Sequence, residues 1–275
     1  VEESVVIIYF TTEVNIVKIP DRFNEICNNK KFIYFIHVPS TGGIYLKKTV
    51  FLNEPRFTWY GKSFYGKYDH HPCGLTRPVV YQGSRNHSKT YKFDPFFLDI
   101  DSLVISTVRN PFDQYVSSYL LTKKDDSSLS FDDFIDTTCS SNFSPTIDFG
   151  ESFYLSRDLL FYQMFDDDGS CHCDLILRRE SLNEGLEIIL NKLGIDAKLS
   201  GNSDTPPGKW GDIRKKQGFS KKRDYRLFYS DRTREIVEKR REKELKLFGY
   251  NFDGTDDRVI ISPDNISYKL PKDER

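Results

Sequence analysis

The chain has 275 residues, 38% of them hydrophobic and 15% aromatic, which is enough apolar material for one large core and too much for a disordered chain. Forty basic residues face 41 acidic ones for a formal charge of −1. That balance excludes a whole-protein field drawing the molecule to nucleic acid or to an anionic membrane, so any anion must be held by a local site.

The longest apolar runs, 5–10 and 32–38, are strand-sized and fall short of the roughly 18 residues a membrane span needs. The chain starts at Val1 and its single methionine is Met164, so an initiator is expected before this point, with an upstream anchor or signal left open. Five cysteines (Cys27, Cys73, Cys139, Cys171, Cys173) fit two disulfides and a spare, or five free thiols. Cys171-His172-Cys173 lacks zinc spacing, and a disulfide or buried thiols are the expectation there rather than a metal. Sequons at Asn86, Asn142 and Asn265 lean slightly toward a secretory compartment.

In chain order, residues 5–8 and 32–38 read as strands, the second apolar but for His37, as a strand covered on both faces would be. It runs into Pro39-Ser-Thr-Gly-Gly43, and 44–52 can continue as a helix. Residues 54–95 read as loop, rich in Pro, Gly, Tyr and His, with one short strand at 78–81. A second buried-type strand at 103–108 leads into Arg109-Asn110-Pro111 and a helix over 112–121, which Asn110 can cap and Pro111 can open. Helices follow at 131–137, 153–165 and 181–193, the last stopped by Gly194, with a strand at 174–177 between them. A Gly/Pro/Lys/Arg-rich loop covers 200–224, and an amphipathic helix over 230–248 closes at Gly249. Strands alternating with helices give an α/β domain: a central parallel β-sheet flanked by helices.

Two segments point to anion chemistry. A strand, a glycine pair and a helix make a phosphate-binding recipe, because free amides point at the anion and glycine lets backbone come close. No Gly-Lys-Ser/Thr follows Gly43, so an ATP- or GTP-hydrolase loop does not fit, and a plain turn is the alternative. Arg109 closes a buried strand and Ser117 lies eight residues on, so guanidinium and hydroxyl can converge on one anion near the helix start. The alternative is Arg109 pairing with Asp113, and Ser117 on a polar face.

Phe35-Ile-His-Val-Pro-Ser-Thr-Gly-Gly43 resembles the 5′-phosphosulfate loop of Golgi-type carbohydrate sulfotransferases, of the heparan and uronyl O-sulfotransferase kind. Val108-Arg-Asn-Pro-Phe-Asp-Gln-Tyr-Val-Ser-Ser-Tyr119 resembles their 3′-phosphate strand and helix. Leu175-Ile-Leu-Arg-Arg-Glu180, Tyr229 and Phe248-Gly-Tyr-Asn-Phe252 extend the likeness over about 31–253. It implies a single P-loop-like domain over 1–275, with a 5′-phosphosulfate loop at 37–45, a 3′-phosphate strand and helix at 104–120, and a cofactor-closing loop at 200–224. It also implies 3′-phosphoadenosine 5′-phosphosulfate as sulfuryl donor, the bisphosphate as product, and no metal. Ser40, Thr41, Gly42 and Gly43 would hold the 5′-phosphate, Arg109 and Ser117 the 3′-phosphate, and Lys209 would close over the nucleotide.

Sulfuryl transfer needs a base for the acceptor hydroxyl. By the resemblance that base stands shortly after a strand and before the second motif, which favours His87; a solvated loop histidine is the alternative. His87 is the middle residue of the Asn86 sequon, so Asn86 should carry no glycan. His70 and His71 line the acceptor site or stabilise a turn, and His37 orients backbone. One position departs from the family: Ser40 stands where lysine is usual, removing a charge that would neutralise the leaving phosphate. Lys47, Lys48 or a basic residue of the 208–216 loop can substitute; otherwise the chain is a catalytically impaired nucleotide- or glycan-binding protein on the same fold. A nucleotide kinase fits less well, lacking the lysine-bearing loop and a magnesium carboxylate.

The expected partner is a carbohydrate or polysaccharide acceptor, met by stacking on Trp59, Tyr60, Phe64, Tyr65 and Tyr68, which are equally core candidates, and by Arg56, Lys62, Lys67, Arg77 and Arg85. A peptide tyrosine is less favoured. The resemblance implies the Golgi lumen, with a soluble cytoplasmic protein as the microbial or viral alternative; nothing in the sequence speaks to oligomeric state.

Overall fold

A computed structural model describes residues 4–10, 13–28, 30, 32–36, 42–46, 57–60, 102–122, 128–140, 164–165, 169–195, 199 and 224–263. Its centre is a five-stranded sheet of β3 (Phe32–Ile36), β4 (Phe57–Tyr60), β5 (Ser102–Val108), β6 (Leu175–Arg178) and β9 (Ile260–Ile261), in the spatial order β4-β3-β5-β6-β9. The first four run parallel, and β9 joins β6 antiparallel. The chain is therefore mixed α/β with a central, mostly parallel sheet.

Both faces of this sheet are covered, which is why its middle strands bury successive residues without in-and-out alternation. Ile33, Phe35, Leu103, Ile105, Leu175 and Leu177 share one core with α1 (Phe23–Cys27), with Tyr45 and Leu46 of the short α2 (Gly43–Leu46), and with α5 (Leu182–Lys192). Ile36, Val104, Val108 and Ile176 form a second core with Met164, Phe165, Phe248 and Tyr250. Successive residues of β5 and β6 thus serve opposite faces, as the period of a strand requires. A third cluster joins α3 (Pro111–Thr122), α4 (Phe131–Thr138) and α6 (Asp231–Phe248) through Phe112, Tyr115, Tyr119, Phe131, Phe134 and Val237.

Local signals explain where the helices begin and stop. The Asn110 side-chain oxygen accepts from Phe112 N at 3.0 Å, and Pro111 follows as the first helical residue, as the sequence anticipates. Ser130 caps α4 by accepting from Asp133 N. Ser230 and Thr233 form a reciprocal capping box at the start of α6. That helix ends at Gly249, whose φ of 64° is left-handed and disfavours a side chain, with the ends of the Asp256 and Arg258 side chains lying against it.

Three elements depart from expectation. β1 (Ser4–Phe10) is longer than 5–8 and pairs antiparallel with β2 (Glu13–Ile19), a strand that Asn15 and the charged Glu13 and Lys18 conceal in the sequence. β4 lies in the stretch read as loop and adds to the sheet edge with Phe35 opposite Trp59. The third inner strand starts at Leu175 rather than 174, because Asp174 turns its carboxylate back to accept from Val104 N at 2.7 Å. The strand expected at 78–81 and most of the helix expected at 153–165 lie outside the described residues.

After α6 the chain folds back in a small hairpin of β7 (Tyr250–Asn251) and β8 (Gly254–Thr255) before reaching β9. Arg178, 1% exposed at the end of β6, fastens this return. Its guanidinium donates to the carbonyls of Phe248, Asp256 and Arg258 and to Thr255 Oγ1, and it pairs with Asp256.

Candidate functional site

The order β4-β3-β5-β6 reverses between β3 and β5, and in open parallel sheets a crevice opens beyond the carboxyl ends of the two strands at such a point. Ile36 and Ser106 are register partners there, and Ser106 Oγ donates to Ile36 O at 2.8 Å, tying the two strand ends together. The glycine loop leaves β3 and Arg109 leaves β5. Two segments 66 residues apart in sequence (43 to 109) therefore emerge from neighbouring strands on the same side of the sheet.

Of the loop residues, Gly42 and Gly43 are described. Gly42 has φ of 102°, which side chains rarely adopt, and its carbonyl accepts from Tyr45 N at 2.9 Å and Leu46 N at 3.2 Å to start α2. A Cβ on Gly42 would lie 2.9 Å from Leu182 Cδ2 and 3.7 Å from Arg179 Cγ. Glycine is thus required here by conformation and packing, before any ligand is considered.

Arg109 is 7% exposed. Its Nε and Nη2 both donate to Asp113 Oδ2, at 2.8 and 2.7 Å, the pairing that the sequence offers as the alternative to anion binding. A third donor reaches the same oxygen: Arg179 Nη1, at 3.2 Å from a guanidinium 8% exposed. Burial first, and next the neighbouring Arg179 charge, press Arg109 below the usual guanidinium range; Asp113 opposes them. Ser117 is buried one turn beyond Asp113 on the same stripe of α3.

Arg179 is the residue that sequence reasoning missed. The motif Leu175 to Glu180 carries it at the end of a buried strand, the same placement that singles out Arg109, and that was the available signal. Glu180 beside it accepts from Asn110 N at 2.9 Å and from the Tyr250 hydroxyl at 3.0 Å, joining the ends of β5 and β6. Asn110 Nδ2 donates to the carbonyls of Asn251 and Gly254 at 3.0 and 3.1 Å and to the Tyr225 hydroxyl at 3.3 Å. Tyr225 in turn donates to Phe252 O at 2.6 Å. The far end of the basic 200–224 stretch is thereby anchored beside Arg109, although its own residues up to 223 are not described.

No family model, curated protein or solved structure matches this chain. The site therefore rests on its own geometry.

His37, Ser40, Thr41, Lys47, Lys48, His70, His71, His87 and Lys209 lie outside the described residues, as do most of the acceptor-side aromatics and bases. Trp59 and Tyr60 belong to β4. Among the described residues no cluster of His, Cys, Asp and Glu forms a metal site, and no helix is long and apolar enough to cross a membrane. Cys27, Cys139, Cys171 and Cys173 are free thiols; burial pushes Cys27 up to about 11 and makes it a poor nucleophile.

Proposed function

We propose that the chain is a sulfotransferase built on a P-loop-like domain, moving a sulfuryl group from 3′-phosphoadenosine 5′-phosphosulfate to a carbohydrate hydroxyl. The observation that supports this best is the adjacency of the glycine loop and buried Arg109 at the ends of neighbouring parallel strands, where the order of the sheet reverses. A 3′,5′-bisphosphorylated nucleotide needs two anion sites the width of one ribose apart. The amides of Thr41, Gly42 and Gly43 serve one phosphate, and Arg109 with Ser117 serves the other, with Lys209 closing from the loop anchored by Tyr225.

In the reaction the acceptor oxygen attacks sulfur in line, its proton passes to His87, and the bond between sulfur and the 5′-phosphate oxygen breaks. Negative charge then builds on the departing bisphosphate. Ser40 offers that charge a hydrogen bond and no cation, so the step depends on Lys47, Lys48 or the 208–216 segment. If none of them reaches, the same sites describe a binding protein without turnover. Localisation in the Golgi lumen and an upstream anchor belong to this same reading.

Transfer of radiolabelled sulfate from the donor to a panel of acidic and neutral polysaccharides tests the proposal. Label should move to at least one acceptor, and His87→Ala should lower the rate by about 100-fold or more, the usual worth of a positioned base. Nucleotide binding without transfer selects the impaired reading, and the absence of both removes the sulfotransferase.

A further inference from the structure

We propose that the Asp113 carboxylate is a resident stand-in for a phosphate oxygen, and that Arg179 is a second phosphate ligand beside Arg109: the anion binds by taking the place of Asp113. Three N–H groups from two guanidiniums converge on the single oxygen Oδ2, at 2.7, 2.8 and 3.2 Å. A carboxylate oxygen has about two lone-pair directions, so the third donor is poorly served, whereas a phosphate spreads several oxygens over the same fork-shaped donors.

Burial divides the cluster into fixed and movable parts. The side chains of Arg109 and Arg179 are 6% and 8% exposed, while that of Asp113 is 25% exposed. Asp113 is thus the member with a path to water. Its neighbour Glu180 keeps different partners, the Asn110 amide and the Tyr250 hydroxyl, and need not move. With Asp113 swung out, two guanidiniums meet the roughly two charges of a phosphate monoester.

Position supports the same role. Arg179 carries its Cγ 3.7 Å from where a Cβ on Gly42 would be, and its guanidinium reaches Asp113 in the first turn of α3. It therefore bridges the glycine loop and Arg109, the two ends between which the nucleotide is proposed to lie. The identity of the anion rests on that nucleotide reading; the exchange of carboxylate for anion does not.

Calorimetric titration of the full chain, of Asp113→Asn and of Arg179→Gln separates the two, using 3′-phosphoadenosine 5′-phosphate and inorganic phosphate as probes. Asp113→Asn removes the competing charge and should bind both probes about tenfold tighter, and Arg179→Gln should bind them about tenfold weaker. A thermal melt accompanies each variant. Arg179→Gln keeps the Arg109 and Asp113 pair, so it carries the test if Asp113→Asn does not fold. Phosphate binding that responds in this way, with no nucleotide binding, sustains the exchange and removes the nucleotide. Nucleotide binding unchanged in Arg179→Gln, or weakened in Asp113→Asn, overturns the exchange and leaves the nucleotide reading in place. No binding of either probe by any variant overturns both.

Discussion

At Gly42, conformation and crowding act together. A φ of 102° disfavours any side chain, and Leu182 Cδ2 would lie 2.9 Å from a new Cβ. Gly42→Ala is expected to cost about 2 kcal/mol of stability, measured by urea denaturation, from the left-handed backbone and the displaced leucine. A neutral result would show that the loop relaxes and that the glycine is not needed for packing. Single residues were unevenly legible in the sequence. Arg109 stands out because it ends an apolar strand and precedes a helix-opening Asn-Pro pair. Its partner Asp113 is also legible, four residues on in the helix. Arg179 is hidden because two arginines and a glutamate after a short strand look like a solvated turn; burial of Arg178 becomes visible only when the return of residues 250–261 covers it, and that of Arg179 only when α3 and Gly42 come against it.

Elements were most legible where pattern and punctuation agree. The helix α3 has a cap and an N-terminal proline, and α6 has Ser230 before it and Gly249 after it. Replacing Ser230 by alanine removes one half of the capping box and should lower stability by about 1 kcal/mol in the same denaturation assay, with Thr233 left to satisfy one amide. An unchanged midpoint would mean that burial of Thr233 and Val237 alone holds the start of the helix. β3 and β6, with five and four residues, were legible as apolar runs, but the other short strands were not. β4 has four residues among prolines and glycines, and β7, β8 and β9 have two each, so their pairing is decided by tertiary contacts rather than by any period. The kink of α6 at Arg241 is likewise unmarked in the sequence. Backbone there leaves helical values, with φ of −112°, as a buried guanidinium pairs with Glu244 and donates to Gln114 Oε1 at 3.0 Å.

Across the whole molecule, the parallel sheet follows from apolar strands separated by helices, but strand order does not. That β3 neighbours both β4 and β5, so that the strand order reverses between β3 and β5, emerges only from the fold. The antiparallel β9 and its anchor at Arg178 also give the molecule an acid-sensitive clasp. Burial alone would raise Asp256, yet hydrogen bonds from Arg258 and Arg178 outweigh it and hold the carboxyl at about 2 against a usual 3.8. Because the folded value is the lower one, the clasp stabilises the protein above 3.8 and loses that contribution as pH falls through about 2. Asp256→Asn should therefore be less stable than wild type at neutral pH and show a flatter loss of stability across that window; identical profiles would mean that the pair contributes nothing. The claim on which the functional account rests is that two segments from adjoining strands make one nucleotide site, and calorimetric titration with 3′-phosphoadenosine 5′-phosphate, run beside a folded Arg109→Ala variant, tests it most directly. The account predicts saturable binding by the wild type that falls sharply in the variant. No binding by the wild type, or equal binding by both, would contradict it and leave the glycine loop an ordinary turn.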